Sequence, residues 1–457
     1  MSAVGQAGQT LSIKEKVAYG LGDTASNLVF QVMVNYMLIF YTDVFGITAA
    51  AAGTLMLVVR LFDAVTDPVM GGIADRTDTR WGRYRPYLIF TSIPYALLAV
   101  AAFITPDFSD SGKLIYAYIT YALLTLAYTA VNIPYSALGG VITANIKERA
   151  SVQSIRFACA MVGGVLVTAF MMELVEWFGQ GDMQLGYSWA MGMYALLALV
   201  CFLLCFVGTK ERVVAPPNER KTTVAEDLKS LFKNDQFMLV ACIALVMLAL
   251  VAMRGAVTPY YVDYFLGRKD LTSQFLTTGM LSALAGALCT NIVSAKINKV
   301  SLFKFAALIS VIAHLGLFFV GKNQLVLAFG IFAIANFFHM VLVPVMFSMV
   351  ADTSDYGQLK FGKNVMAMAY SAHLLAIKLG LAIGAATTGW ILGGFGYVAK
   401  QVQTETALNG ILLCFALIPA FIGLMMWALM RLYKLDDGAM SDIHQQLASQ
   451  RSMAASE

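Results

Sequence analysis

Apolar runs of about twenty residues or more recur along the whole of this 457-residue chain, separated by short polar stretches. Twelve stand out, near 17–41, 49–74, 87–106, 113–139, 151–178, 187–208, 237–266, 272–296, 301–320, 325–350, 365–396 and 406–434. A helix of that length, rising ~1.5 Å per residue, crosses a hydrocarbon layer of about 30 Å. The runs are continuous and not alternating, which excludes a membrane β-barrel. The pattern therefore predicts an all-α membrane protein with twelve transmembrane helices in two six-helix bundles.

The longest polar interval, 209–236, carries Pro216-Pro217 and parts the runs six and six. It predicts an N-terminal bundle over 1–208, a linker over 209–236, a C-terminal bundle over 237–434 and a polar tail over 435–457. The first sixteen residues lack the apolar stretch and small-residue cleavage site of a signal peptide, so the first run is expected to stay in the mature protein.

Composition sharpens this. Hydrophobic residues make up 59% of the chain and charged residues 13%, half of what soluble domains carry. Too few charges remain to cover soluble domains of this size, and a soluble enzyme is excluded. The net charge of +4 is small and dispersed, so no nucleic-acid partner is expected. All six cysteines fall inside apolar runs with no CxxC spacing, as buried small hydrophobes do.

Lys and Arg fall unevenly between the runs. The termini and even-numbered junctions hold 22 of the 31, among them Arg76, Arg80, Arg83, Lys210, Arg212, Lys296 and Lys360, against five at odd-numbered junctions. The positive-inside rule then puts both termini and the central linker in the cytoplasm.

Ionisable side chains within membrane runs cost several kcal/mol unless paired or hydrated, so each is a functional candidate. The second run holds Arg60, Asp63 and Asp67. Offsets of three and seven residues put them on one helix face, with a net charge of minus one. Pro68 leaves the Ala64 carbonyl without its helical hydrogen bond, and Thr66 adds a hydroxyl. An oxygen-rich group of this kind suits a hard monovalent cation; the alternative is an ion-pair network that only fixes packing. The fourth run offers Thr129 and Asn132, with Pro134 freeing the Ala130 carbonyl, although such residues also serve plain interhelical hydrogen bonding. Arg156 and Lys378 sit in runs five and eleven. Lys378 precedes Gly380 and Gly384, a spacing that permits close helix approach, and His373 lies just over one turn earlier. His314 and His339 are expected to be structural, and Arg254 is left open. A P-loop-like stretch, Gly357 to Asn364, lacks both the final Ser or Thr and a preceding strand, and is expected to be a loop between helices. No hydrolase or metalloenzyme motif occurs, so no catalytic residue or cofactor is expected.

Several motifs in order carry a resemblance. Gly72-Ile-Ala-Asp75-Arg76-Thr-Asp-Thr-Arg80 looks like the loop signature of the major facilitator superfamily. Together with Asp63-Ala-Val-Thr-Asp67-Pro68, Arg80-Trp81-Gly82-Arg83-Tyr84-Arg85-Pro86, Tyr128-Thr129-Ala-Val-Asn132-Ile133-Pro134 and Asp352-Thr-Ser-Asp355-Tyr356-Gly357, it resembles the glycoside–pentoside–hexuronide:cation symporters, the melibiose permease family. The resemblance runs from about Glu15 to Lys434.

It implies the major facilitator fold and a cation site at Asp63, Asp67 and Thr129, with Thr66 beside it. It also implies a sugar site at Asn27, Asn132, Arg156, His373 and Lys378. Asn27 and Asn132 stand where the family's melibiose carriers have aspartates, Ser136 where they have an aromatic, and Thr66 where they have an asparagine. These departures point away from an α-galactoside and towards a pentoside or β-glycoside, with Na⁺ and H⁺ both open as the coupling ion. Lys378 is expected to offset the negative charge of Asp63 and Asp67 when no cation is bound.

The expectation is a monomeric importer in the inner membrane that moves a sugar with a monovalent cation by alternating access. A passive facilitator is the alternative, in which the paired acids would be structural. A membrane enzyme or sensor has no catalytic constellation to support it.

Overall fold

The computed structural model describes residues 10–143, 145–213, 230–294, 296–361 and 366–454. Most of the expected linker and the end of the P-loop-like stretch, Gly362 to Asn364, lie outside the described residues. Those described form helices and short connections, with no strand among them. In chain order they are α1 (Ile13–Asn35), α2 (Ala49–Arg76), α3 (Arg85–Ala101), α4 (Asp110–Val141), α5 (Ile146–Gly179) and α6 (Met183–Gly208). There follow α7 (Asp235–Tyr260), α8 (Thr272–Ser294), α9 (Lys299–Phe318), α10 (Leu325–Phe361), α11 (Met366–Gly394), α12 (Glu405–Leu429) and α13 (Asp437–Ala454).

Ten of these, α2 and α4 to α12, are long and apolar enough to cross a membrane. α1 continues after a bend of 54° into a second piece, Met37–Phe45, and the pair counts as one further crossing. α3 is shorter and is interrupted at Thr91, whose hydroxyl donates back to the Tyr87 carbonyl at 2.5 Å. With these two the expected twelve are accounted for.

Three helices end or change in a π turn: Phe40–Phe45 after α1, Tyr261–Phe265 after α7, and Leu413–Leu417 within α12. The first lies on the far side of the bend in α1, where neither Pro nor Gly occurs. α10 outruns its apolar stretch by eleven residues. Its polar end is held from the N-terminus of α7, where the Asn234 amide donates to the Thr353 carbonyl at 2.7 Å. The polar tail forms α13, whose Met440, Ile443 and Leu447 join a buried apolar core while His444 meets Asp355 at 3.1 Å.

The chain forms two compact units. Unit 1 holds residues up to 217 together with 268–277 and 385–407. Within it α1 packs on α5 and α6, α2 on α4, and α3 on α4 and α6. Close approach of α1 and α5 depends on Gly163: a Cβ there would stand 2.9 Å from the Thr24 carbonyl oxygen. The loop after α2 is fastened by Glu211, whose carboxylate accepts from the backbone N–H groups of Arg83, Tyr84 and Arg85 at 2.9, 2.8 and 2.9 Å. That carboxylate caps the open N-terminus of α3, where the helix dipole favours a negative charge.

Unit 2 holds residues 218–267, 278–384 and 408 onwards. In it α10 packs on α7 and α9, and α12 on α7 and α9. Gly380 and Gly384 let α11 press against α7 as their spacing suggests. A Cβ at Gly384 would sit 2.1 Å from the Ala249 carbonyl oxygen.

Candidate functional site

α2 brings Asp63 and Asp67 to one wall, and α4 meets them with Thr129. The Thr129 Oγ1 lies 2.6 Å from Asp63 Oδ1 and 3.0 Å from Asp67 Oδ1. Asp63 is 0% exposed. Arg60, buried one turn earlier, lies over the Phe30 ring at 5.4 Å, within electrostatic reach of Asp63 and the Tyr121 hydroxyl. The three oxygens expected of a cation site are thus assembled. Thr66 is turned elsewhere: its hydroxyl donates to the Asp63 backbone carbonyl at 3.1 Å.

One hydroxyl carries one hydrogen, so Thr129 can donate to only one carboxylate at a time. The other contact is between two oxygens unless a proton or a metal cation bridges them. The Ala130 carbonyl freed by Pro134 is not part of this group. It is met by the Thr91 hydroxyl of α3 at 3.4 Å.

One turn from Thr129 along α4, Asn132 begins a second polar cluster, where α1, α4 and α5 meet. Its amide donates to the Tyr128 hydroxyl at 3.2 Å, and its oxygen accepts from Ser26 at 3.4 Å. Asn27 donates to the Asp23 carbonyl at 3.0 Å and accepts from Gln31 at 3.4 Å. Arg156 of α5 pairs with Asp23 through Nε at 2.9 Å. Its Nη2 reaches Ser136 Oγ at 3.5 Å, and its guanidinium lies 5.1 Å from the centre of the Tyr135 ring. That ring stacks on Tyr19 and sends its hydroxyl to the Tyr19 carbonyl at 2.9 Å. The cluster offers amide, hydroxyl and guanidinium groups around an aromatic face, the chemistry that recognises a sugar ring and its hydroxyls.

Asp23, Ser26, Gln31 and the Tyr19–Tyr135 pair are members that the sequence did not single out, and Tyr128 appeared there only within a motif. Asp23 carried a usable signal, being an acid within the first apolar run.

His373 and Lys378 belong to unit 2. His373 is buried, edge-on to Phe347 at 5.1 Å, with neither ring nitrogen hydrogen-bonded among the described residues. Lys378 stands five residues on, at an intermediate level of exposure. The structure gathers Asp63, Asp67 and Thr129 into one group and Asn27, Asn132 and Arg156 into another, both in unit 1.

Known proteins match the chain over nearly its whole length. The family described as MFS/sugar transport protein matches residues 18–437. The Inner membrane symporter YicJ of Escherichia coli (strain K12) is 39% identical over 442 residues, covering 96% of each chain. The Isoprimeverose transporter of Lactiplantibacillus pentosus is 32% identical, over 96% of this chain and 93% of its own. Among solved structures, a D-xylose-proton symporter superposes with a TM-score of 0.65 at 13% identity, over 91% of this chain and 97% of that one, a likeness of fold.

Proposed function

Because the chain belongs to the MFS/sugar transport protein family, we propose that it imports a glycoside or pentoside together with a monovalent cation, Na⁺ or H⁺. The observation that carries this is the meeting of Asp63 and Asp67 on the single hydroxyl of Thr129. Two acids converging on one hydroxyl inside a membrane protein are an arrangement that a small cation or proton stabilises. Thr129 and Asn132 stand one turn apart on α4, so the cation group and the polar cluster share a rigid element. Loading of one site then biases the pose of the other, and this is how binding energy links two ligands to one conformational equilibrium.

In this proposal Asp63, Asp67 and Thr129 hold the cation, and Thr66, turned to the Asp63 backbone carbonyl, does not. Asn27, Asn132 and Arg156 take the sugar, and His373 and Lys378 contribute to substrate binding as the family resemblance implies. The protein works as a monomer of two six-span halves in the inner membrane, with both termini in the cytoplasm and no cofactor beyond the coupling ion. The relatives named above as a symporter and an isoprimeverose transporter support a sugar and a cation as the paired cargo.

The test is uptake into proteoliposomes of labelled xylosides and β-glucosides under an imposed Na⁺ or proton gradient. Accumulation above equilibrium that collapses when the gradient is dissipated is expected. Entry that stops at equilibrium, whatever gradient is imposed, would assign the chain to the passive facilitators.

A further inference from the structure

Unit 2 encloses a group of donors and acceptors that the proposed transport sites leave unused. Arg254 of α7, His314 of α9 and His339 of α10 are 8%, 0% and 2% exposed. α10 packs on both α7 and α9, and Arg254 acts electrostatically on both imidazoles. Among the described residues no carboxylate pairs with Arg254. Its Nη1 is buried without a hydrogen-bond partner, as are Nε2 of His314 and both ring nitrogens of His339.

One tautomer follows from geometry. His314 Nδ1 lies 2.7 Å from the Ser310 carbonyl oxygen, which can only accept, so Nδ1 carries the hydrogen and Nε2 presents a lone pair. The guanidinium, by contrast, does not shed its proton in proteins. The acids on the neighbouring helices do not answer its charge. Asp235, Asp352 and Asp355 lie at the cytoplasmic ends of α7 and α10, engaged by Lys360, Lys299 and His444. Asp263, nine residues beyond Arg254, stands about 13 Å further along the helix axis. Protonating an imidazole would add a second positive charge to the first. A water molecule would satisfy the hydrogen bonds and leave the charge, and an unbalanced buried charge is strongly destabilising.

We propose that Arg254 and the N–H of His339 hold one small monovalent anion, chloride in the cell, inside the bundle of unit 2. A single guanidinium charge matches a single negative charge, and a divalent anion would only reverse the imbalance. The site is a built-in counter-ion for the C-terminal bundle, separate from the coupling cation and the sugar.

Thermal unfolding of the detergent-purified protein tests this, with sodium held constant and chloride exchanged for gluconate at equal ionic strength. The wild type should melt roughly 5 °C higher in 100 mM chloride than in gluconate, with bromide able to replace chloride. Arg254→Met, which removes the charge and keeps the bulk, should melt at one temperature in both salts. A wild type indifferent to halide, or an Arg254→Met variant with the same halide dependence, overturns the proposal. Should that variant not fold, equilibrium dialysis of the wild type against chloride-36 decides. Saturable retention of about one ion per chain is expected, and no saturable retention overturns it.

Discussion

Arg156 and Asp23 lie 2.9 Å apart across the α5–α1 contact, 19% and 11% exposed, so the guanidinium nearest the polar cluster has its own counter-charge. In the proposed sugar site it would therefore meet a substrate as a neutralised, oriented fork of donors and not as a lone cation. This favours neutral sugar hydroxyls as its targets over a carboxylate.

The pair predicts its own coupling. Asp23→Asn leaves a buried guanidinium uncompensated, and breaking such a pair costs about 3–5 kcal/mol. The single variant should melt well below the wild type, while Asp23→Asn/Arg156→Gln should recover much of the loss. A double-mutant cycle of melting temperatures in detergent measures this, and additive losses would show that the two residues do not depend on each other.

The hydroxyl shared by two acids predicts a division between cation and sugar. Asp63→Asn and Asp67→Asn should each abolish accumulation while leaving sugar exchange. Thr129→Val should weaken the cation at least tenfold, about 1.4 kcal/mol, and Thr129→Ser should restore most of it. Uptake rate against cation concentration reads the effect. Undiminished accumulation in both aspartate variants would remove the cation from this group.

On the sugar side, Arg156→Ala and Asn132→Ala should each weaken binding by about 2 kcal/mol, since a polar site that loses a donor strands the hydroxyl it served. Isothermal titration in detergent gives the affinities directly. With asparagine at 27 and 132, a pentoside or β-glycoside should bind more tightly than an α-galactoside, and tight melibiose binding would contradict this.

Helix spacing makes a prediction of its own. The Cβ of Gly384→Ala would stand 2.1 Å from a backbone oxygen of α7, and no side-chain rotation can relieve that overlap. This variant should yield little monodisperse protein by fluorescence-detected gel filtration. Gly192→Ala on α6, with nothing within 4 Å of the added carbon, should behave as wild type.

The twelve crossings and the face shared by Asp63 and Asp67 were legible because both follow from periodicity, one from the length of apolar runs and the other from 100° per residue. Thr129 stood out as a polar residue of the fourth run, but its place beside the two acids came through family resemblance, since nothing in α4 by itself says which helix it faces. Asp23 as the partner of Arg156 was hidden for the same reason. Its pairing depends on α1 and α5 lying close, which a Gly20 opposite Cys159 and a Gly163 opposite Thr24 decide in three dimensions. The fate of the Ala130 carbonyl was equally unreadable. A proline announces that a carbonyl is released, but not that it will lie 3.4 Å from the Thr91 hydroxyl of another helix, which already donates to Tyr87.

The π turns that close α1 and α7 share one pattern. The first contains Tyr41, Asp43 and Phe45, the second Tyr261, Asp263 and Phe265, in the same spacing. In each, the tyrosine carbonyl accepts the backbone N–H five residues on, from Gly46 at 3.0 Å and from Leu266 at 2.9 Å, and the tyrosine and phenylalanine rings lie 5.8 and 5.2 Å apart. A π turn holds one residue more than an α turn, and adding a residue rotates everything beyond it by about 100°. The same extra residue, with the same three side chains, thus turns the chain at the ends of the first and seventh crossings.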